Sequence, residues 1–244
     1  MDPISAIAAS GLRARMEALD MLANNLANGA TAGYKNDREW YGLYVSDSVG
    51  TAGTSDSTQP VIEKQWTDFA QGNLQPTGNP LDLALSGKGF FAVNGPSGAL
   101  YTRNGSFRLS AAGVLETGDG FAARAVGGNV IRAQGKGAIE ISSDGTVKQS
   151  GQVLGQVEVA SFKDQASLVK QGGSYFKNTD AQNQTVASDV MVYQGKIEAS
   201  NVVTAESAIR LVGIMRQFEM LHKAISTATD MDRKAVEEVA RVGS

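Results

Sequence analysis

Residues 204–242 read TAESAIRLVGIMRQFEMLHKAISTATDMDRKAVEEVARV, and their spacing decides the fold. Leu211, Ile214, Phe218, Leu221, Ile225 and Ala228 recur at alternating steps of three and four. That spacing places them on one side of an α-helix, in the seam pattern of a coiled coil. The other sides carry Arg210, Arg216, Glu219, Lys223, Asp230, Arg233, Lys234, Glu237 and Glu238. Glu219 to Lys223 and Arg233 to Glu237 are opposite charges four apart, which supports a solvated helix. Gly213 alone interrupts the run. About 36 helical residues extend about 54 Å at 1.5 Å per residue, so one face needs a partner over the length of a small domain.

The other end of the chain carries a matching pattern. Ala9, Leu12, Met16, Leu19, Ala23 and Leu26 again alternate three and four apart, and Asn28-Gly29 stops the helix. The simplest solution packs the two terminal helices on each other. Burial of these seams alone does not offset the entropy of ordering two long helices. The spacing therefore predicts frayed ends in a lone monomer and stable helices where copies bundle.

Between the helices the text changes. Tyr34, Trp40, Tyr41 and Tyr44 are aromatic anchors in a polar segment, and Ser46 to Pro60 reads as a flexible loop. Trp66 and Phe69 mark a return to packed structure. From Leu81 to Phe176 the chain reads all-β. Asn104-Gly105 predicts a type I′ turn between Leu100–Thr102 and Phe107–Leu109. Ser143-Asp144-Gly145 predicts another turn, between Ile139–Ile141 and Thr146-Val147. Val153 to Phe162 alternates like one strand, Ala181 to Asp189 reads as a polar loop, and Val190 to Ile197 as a last extended segment. Ser200, Asn201 or Thr204 is the expected cap of the final helix. The expected fold is α+β: N- and C-terminal amphipathic helices packing as a coiled-coil layer, with a central all-β domain. Its expected parts are the N-terminal helix 1–33, an extended or flexible connecting segment 34–80, the β-rich domain 81–199 and the C-terminal helix 200–244.

Composition excludes several kinds of chemistry. The 244 residues contain no cysteine, so disulfides and thiolate chemistry are out. A net charge of −3 with scattered basic residues leaves no nucleic-acid footprint. No apolar run approaches a membrane span, and the start, with Asp2 and a short apolar run, does not read as a secretory signal. His222, the single histidine, lies near the helical seam and reads as a packing or interface residue. Without a second histidine or any cysteine, transition-metal sites lack their ligands. A nucleophilic triad would have to use His222 on an exposed bundling helix, away from any pocket. Gly87-Lys88-Gly89 lacks the spacing of a phosphate loop and reads as a turn before the strand Phe90–Val93. Asp82 is a candidate partner for Arg103 or Arg108. The reading is a non-enzyme without cofactor or small-molecule substrate, whose surfaces serve interaction.

The motifs themselves resemble one family. Ala23-Asn24-Asn25-Leu26-Ala27-Asn28 followed by Gly33-Tyr34-Lys35 resembles the N-terminal signature of bacterial flagellar rod and hook axial proteins. Leu81-Asp82-Leu83-Ala84-Leu85-Ser86-Gly87-Lys88-Gly89-Phe90-Phe91 is similar to its central motif. Tyr101-Thr102-Arg103-Asn104-Gly105-Ser106-Phe107, with Gly113-Val114-Leu115 after it, is similar to the next. Ser200-Asn201-Val202 and Arg216-Gln217-Phe218-Glu219-Met220 are similar to its C-terminal pattern. The motifs stand in the family's order along nearly the whole chain, with a departure at Gly29-Ala30. The stretch Arg216–Met220, and Gly127–Ile131 leading to Ile139–Ile141, resemble the proximal-rod type more than the distal-rod type.

The resemblance implies a structural subunit that leaves through the flagellar type III export apparatus without a cleaved signal. It implies assembly, with itself and with other rod and hook axial proteins, into a helical rod in the periplasm. The terminal helices would then form an inner layer around the export channel. The subunit-interface residues expected on this reading are Leu12, Met16, Leu19, Leu26, Asn24, Asn25, Asn28, Tyr34, Leu211, Ile214, Phe218, Leu221 and Ile225. Competing readings are a distal-rod subunit, a trimeric β-domain binding protein, and a cytoplasmic export adaptor, the last disfavoured by the β-rich middle.

Overall fold

The computed structural model describes residues 3–45, 58–135, 137–187 and 189–242. The chain divides into two compact units. The first draws on Met1–Ala27, Asp37–Thr67 and Val203–Ser244, the second on Asn28–Asn36 and Asp68–Val202. The architecture is α+β, mostly strand, with one helix at each end. No helix among the described residues is long and apolar enough to cross a membrane.

The first unit holds helix α1 (Pro3–Ala27), strands β1 (Asp37–Val45) and β2 (Thr58–Thr67), and helix α2 (Thr204–Val242). The helices meet where Ala18 and Leu22 of α1 enclose Ile214 of α2, with Leu19 and Leu211 at the margin. β1 and β2 form a long antiparallel hairpin from Asp37↔Thr67 to Val45↔Thr58, with a bulge at Trp40/Tyr41. Within the extended or flexible connecting segment expected over 34–80, residues 37–45 and 58–67 are thus paired strands. Trp40, Tyr41, Leu43, Tyr44 and Val45 are strand-forming types, and a partner strand in register gives them a sheet. The loop expected at Ser46 to Pro60 falls mainly on 46–57, outside the described residues.

The second unit is built from short strands. In chain order they are β3 (Leu74–Pro76), β4 (Leu83–Ser86), β5 (Phe90–Gly95), β6 (Gly98–Thr102), β7 (Phe107–Leu109), β8 (Leu115–Thr117) and β9 (Ile139–Ile141). There follow β10 (Thr146–Gln149), β11 (Gln152–Gln156), β12 (Val159–Phe162), β13 (Leu168–Gly172), β14 (Tyr175–Asn178), β15 (Gln184–Val186), β16 (Met191–Gln194) and β17 (Lys196–Glu198). The largest sheet has the order β13-β14-β6-β5-β12-β15, and its pairings are all antiparallel. Its centre, β5, is buried on both faces, as a continuous apolar run predicts. Phe91 and Val93 face a core with Leu83, Leu85, Phe107, Leu115, Ile131 and Val147. Phe90 and Ala92 face a second core with Tyr101, Phe162 and Phe176. Phe69 closes that core edge-on against Phe90 and Phe176, with ring centroids 5.6 and 5.1 Å away.

Four local expectations change. Asn104-Gly105 is not a hairpin turn: β6 pairs with β5 and β14, and β7 pairs with β8. Asn104 Oδ1 instead accepts from the Ser106 N–H, a local turn that competes with the hairpin. Gly105 is required by closeness, since an added Cβ would sit 1.7 Å from the Leu83 carbonyl oxygen. The stretch Val153 to Phe162 is two strands in two sheets, β11 and β12. The polar loop at Ala181 to Asp189 contains an edge strand, β15, and Asp82 bonds Asn79 rather than an arginine. The turn at Ser143-Asp144-Gly145 stands where the sequence places it, while the extended segment over Val190 to Ile197 is two strands in two sheets, β16 and β17.

Candidate functional site

The seam of α2 is the side most sheltered from solvent. Ile214 is buried, Leu211, Phe218, Leu221 and Ile225 are half-buried, and residues 215–217, 219, 220 and 222–224 are exposed, His222 among them. The side chain of Ala228 is outside the described set. On α1 the sheltered line is displaced from the expected one. It runs Gly11, Ala14, Ala18, Leu22 and Asn25. Leu12, Leu19 and Leu26 flank it half-buried, while Met16 is 54% exposed. Of the sheltered line, Ala18 and Leu22 pack on Ile214 of α2, with Leu19 beside them. Asn24 is exposed and Asn28 half-buried, where its Oδ1 accepts from Thr31 Oγ1 at 3.2 Å.

Asn25 is a buried polar residue on α1, and its amide is fully used. Its Nδ2 donates to the Asp37 carbonyl at 2.8 Å, and its Oδ1 accepts from the Asp37 N–H at 3.0 Å. The side chain thus pairs with β1 as a neighbouring strand would. Asp37 Oδ1 in turn accepts from Thr67 Oγ1 at 2.7 Å, which ties the start of β1 to the end of β2.

In the second unit a buried charge cluster joins segments far apart in sequence. The Glu198 carboxylate accepts from Lys35 Nζ at 2.6 Å, from Arg103 Nη1 at 3.2 Å and from the Gly72 N–H at 2.9 Å. Lys35 and Glu198 are fully buried and Arg103 nearly so. Lys35 Nζ also donates to the Ala70 carbonyl at 2.7 Å. Arg103 Nη2 donates to the Gly87 carbonyl at 2.5 Å, and the guanidinium lies 5.1 Å from the Phe90 ring centre. Burial pulls the Lys35 and Arg103 pKa values down, and the Glu198 carboxylate acts against that shift. Two cations on one carboxylate make Glu198 the keystone, because without it both would lie buried and unpaired.

The same clasp holds the main chain. The Gly33 N–H donates to the Glu198 carbonyl at 2.7 Å, and the Asn201 N–H donates to the Tyr34 carbonyl at 3.3 Å. Asn201 Oδ1 accepts from the Asn36 N–H at 2.7 Å, and its Nδ2 donates to the carbonyls of Asp68 and Ala70 at 2.7 and 3.1 Å. Asn201, one of the three expected caps of the final helix, is therefore spent elsewhere. Tyr34, expected at a subunit interface, is buried under Lys170, whose Nζ lies 4.2 Å from the ring centre and donates to the Lys35 carbonyl at 3.0 Å. Gly33 adopts φ 66°, and a Cβ there would meet the Asn104 nitrogen at 2.2 Å.

Lys35, Gly87, Arg103 and Asn201 each stand in one of the quoted motifs, yet sequence reasoning assigned none of them its contact. Glu198 was missed altogether. The available signal was a charged residue inside a strand that otherwise leads inward, which demands a buried partner. Among the described residues no group of three or more His, Asp or Glu side chains is placed to hold a metal ion. The arrangement binds the chain to itself.

A family model described as "Flagella basal body rod protein" matches residues 6–35. "Flagellar hook protein FlgE/F/G D1 domain" matches residues 84–149, and "Flagellar basal body rod FlgEFG protein C-terminal" matches 193–238. Among curated relatives, the flagellar basal-body rod protein FlgF of Caulobacter vibrioides is 31% identical over 229 residues, covering 92% of both chains. The flagellar basal-body rod protein FlgG of Borreliella burgdorferi is 32% identical over 251 residues, covering 92% of this chain and 94% of its own. FlgG of Agrobacterium fabrum is 31% identical over 261 residues, with 93% and 95% covered. The first match enters at α1, the second spans the strands around Arg103, and the third begins before Glu198, so all three touch elements that the clasp or the seam uses. With near-complete coverage by relatives of both kinds, the chain belongs to the flagellar basal-body rod proteins of the FlgF/FlgG type.

Proposed function

We propose that this structural rod subunit of the flagellar basal body assembles through its terminal helices. Copies of itself and other rod and hook axial proteins are the partners. The polymer is helical, transmits torque from motor to hook, and surrounds the export channel. The helices form its inner coiled-coil layer, with Leu12, Leu19, Leu26, Leu211, Phe218, Leu221 and Ile225 in the seams between subunits and Met16, Asn24 and Asn28 beside them. The subunit reaches this place through the flagellar type III export apparatus, and it performs no catalysis.

One observation carries the reading. α2 has 39 residues and α1 has 25. At 1.5 Å per residue these are about 58 and 37 Å long, so α1 cannot cover α2 from end to end. Ile209, Met220 and Met231 remain 74%, 64% and 66% exposed, with Val212 and Met215 also exposed. Apolar side chains repeated along one helix point to protein partners along that helix.

The proximal rod is the favoured position, on the likeness of Arg216–Met220 and Gly127–Ile131 to that type. Relatives named FlgF and FlgG match at similar identity, so this choice rests on those two stretches. Site-specific cross-linking from α2 in purified basal bodies tests it. Cross-links to the proximal neighbours are expected, and cross-links confined to the hook side would reassign the subunit to the distal rod. Deletion of residues 1–28 is expected to abolish incorporation while the β unit stays folded. Normal rods in that strain would refute assembly through α1.

A further inference from the structure

We propose that residues 33–36 and 198–201 form a shear clamp that carries tension between the two terminal helices through the second unit. This rests on the rod reading above, because only a subunit under torque needs such a device. The argument begins with direction. Gly33 N–H reaches the Glu198 carbonyl, and three residues further along, Asn201 N–H reaches the Tyr34 carbonyl. Both segments advance together, so they run parallel. The chain enters the first segment from α1 and leaves the second toward α2. Tension between the helices therefore pulls on opposite ends of a parallel pair. That geometry stretches all the cross-links at once, whereas a hairpin pulled at one end opens bond by bond.

The cross-links are unusually strong for so short a contact. Besides the two main-chain bonds, Lys35 Nζ bonds Glu198 Oε1 at 2.6 Å and the Asn36 N–H bonds Asn201 Oδ1 at 2.7 Å. The ion pair is fully buried, so water cannot compete for it while the clamp is closed. The clamp is also fastened to the large sheet. Arg103, just past the end of β6, holds the other oxygen of Glu198, and Lys170 on β13 holds the Lys35 carbonyl. Asn201 ties in a third segment at the Asp68 and Ala70 carbonyls, so a pull at any of these segments is shared by the others.

The test is single-molecule pulling on the full chain. The sequence has no cysteine, so thiol handles can be placed without background. Ala30→Cys with Val203→Cys, both exposed, loads the clamp. Ala111→Cys with Val153→Cys, also exposed, loads the β unit along another line. Glu198→Gln and Asn201→Ala are each introduced into both pairs. Rupture across 30–203 is expected to fall to about half or less in Glu198→Gln, since charge-assisted bonds are roughly twice as strong as neutral ones, and by a smaller measurable amount in Asn201→Ala. Rupture across 111–153 is expected to stay unchanged. Asn201→Ala removes neutral bonds alone and leaves every charge paired, so it decides the matter if Glu198→Gln fails to fold. Unchanged force across 30–203, or an equal fall along both lines, overturns the clamp. Absence of the subunit from purified basal bodies with the force pattern intact would instead overturn the rod reading.

Discussion

Asn25 replaces a strand neighbour with a side chain, and that substitution sets a measurable stake. Removing its amide takes two hydrogen bonds from the Asp37 main chain at a half-buried position. Asn25→Ala is expected to cost about 2 kcal/mol, as for two lost hydrogen bonds of ordinary strength. A denaturant melt reads it as a lower midpoint at unchanged slope. The motif ANNLAN was legible as a signature, but the role of Asn25 was not. Periodicity marks which face a residue occupies and says nothing of a polar group that a strand brought from elsewhere will satisfy. Titration gives a second prediction at this scale. Burial pushes the Tyr101 and Tyr175 hydroxyls up from their ordinary value of 10.0, Tyr175 also donating to Asp119 at 2.7 Å. A raised acid holds its proton in the folded state after the unfolded chain has lost it. Their stabilisation is therefore full below pH 10.0 and is lost as pH rises beyond it. Lys35 acts with the opposite sign, because its lowered pKa makes the unfolded chain the stronger proton binder up to 10.5. Phenolate absorbance is expected to show late-ionising tyrosines in the folded protein, with the latest phase missing in Tyr175→Phe. Simultaneous ionisation of all tyrosines near pH 10.0 would contradict the burial.

At the scale of elements, α2 was the most legible part of the chain and α1 the least. Large apolar residues at steps of three and four predict a helix with one sheltered side, and Leu211, Ile214, Phe218, Leu221 and Ile225 lie on that side. The same rule applied to α1 follows the leucines, yet the sheltered line runs through alanines that contribute little to any hydropathy count. The hairpin β1–β2 was read as aromatic anchors without a sheet, since a strand's partner 20 residues away leaves no local mark. Phe218 separates seam packing from assembly. It is half-buried in the single chain, so a charge there is tolerated by partial exposure to water. Between subunits the same charge would be desolvated, at a cost of several kcal/mol. Phe218→Asp is accordingly expected to leave the melting of the isolated chain within about 1 kcal/mol of the parent, as a partly exposed site allows. It is expected to abolish motility and incorporation into basal bodies. Swimming at the parental rate would remove Phe218 from the assembly seam.

At the scale of the molecule, the second unit is discontinuous in sequence, and its closure depends on its last few residues. The Lys35–Glu198 bond spans 163 positions, and Asn36 to Asn201 spans 165. Contacts of such separation repay their loop-closure entropy only after the intervening strands have formed. Among the described strands β17 pairs with β3, through Lys196↔Pro76 to Glu198↔Leu74, and its Glu198 carbonyl also takes the Gly33 N–H. A chain ending at residue 195 lacks β17, Glu198 and Asn201, and leaves Lys35 and Arg103 buried without their carboxylate. A chain ending at residue 202 keeps them all and lacks only α2. The shorter chain is expected to melt without a cooperative transition and to be cut by protease within 28–36 and 68–73. The chain ending at 202 is expected to keep a sharp transition of its β unit. Glu198→Gln in the longer chain separates loss of the strand from loss of the charge, and its expected cost is about 3–5 kcal/mol, as for breaking a buried ion pair from one side. Equal protease resistance of the two truncated chains would show that the β sheets close without the clasp, and that the cluster at Glu198 is an addition to a fold already complete.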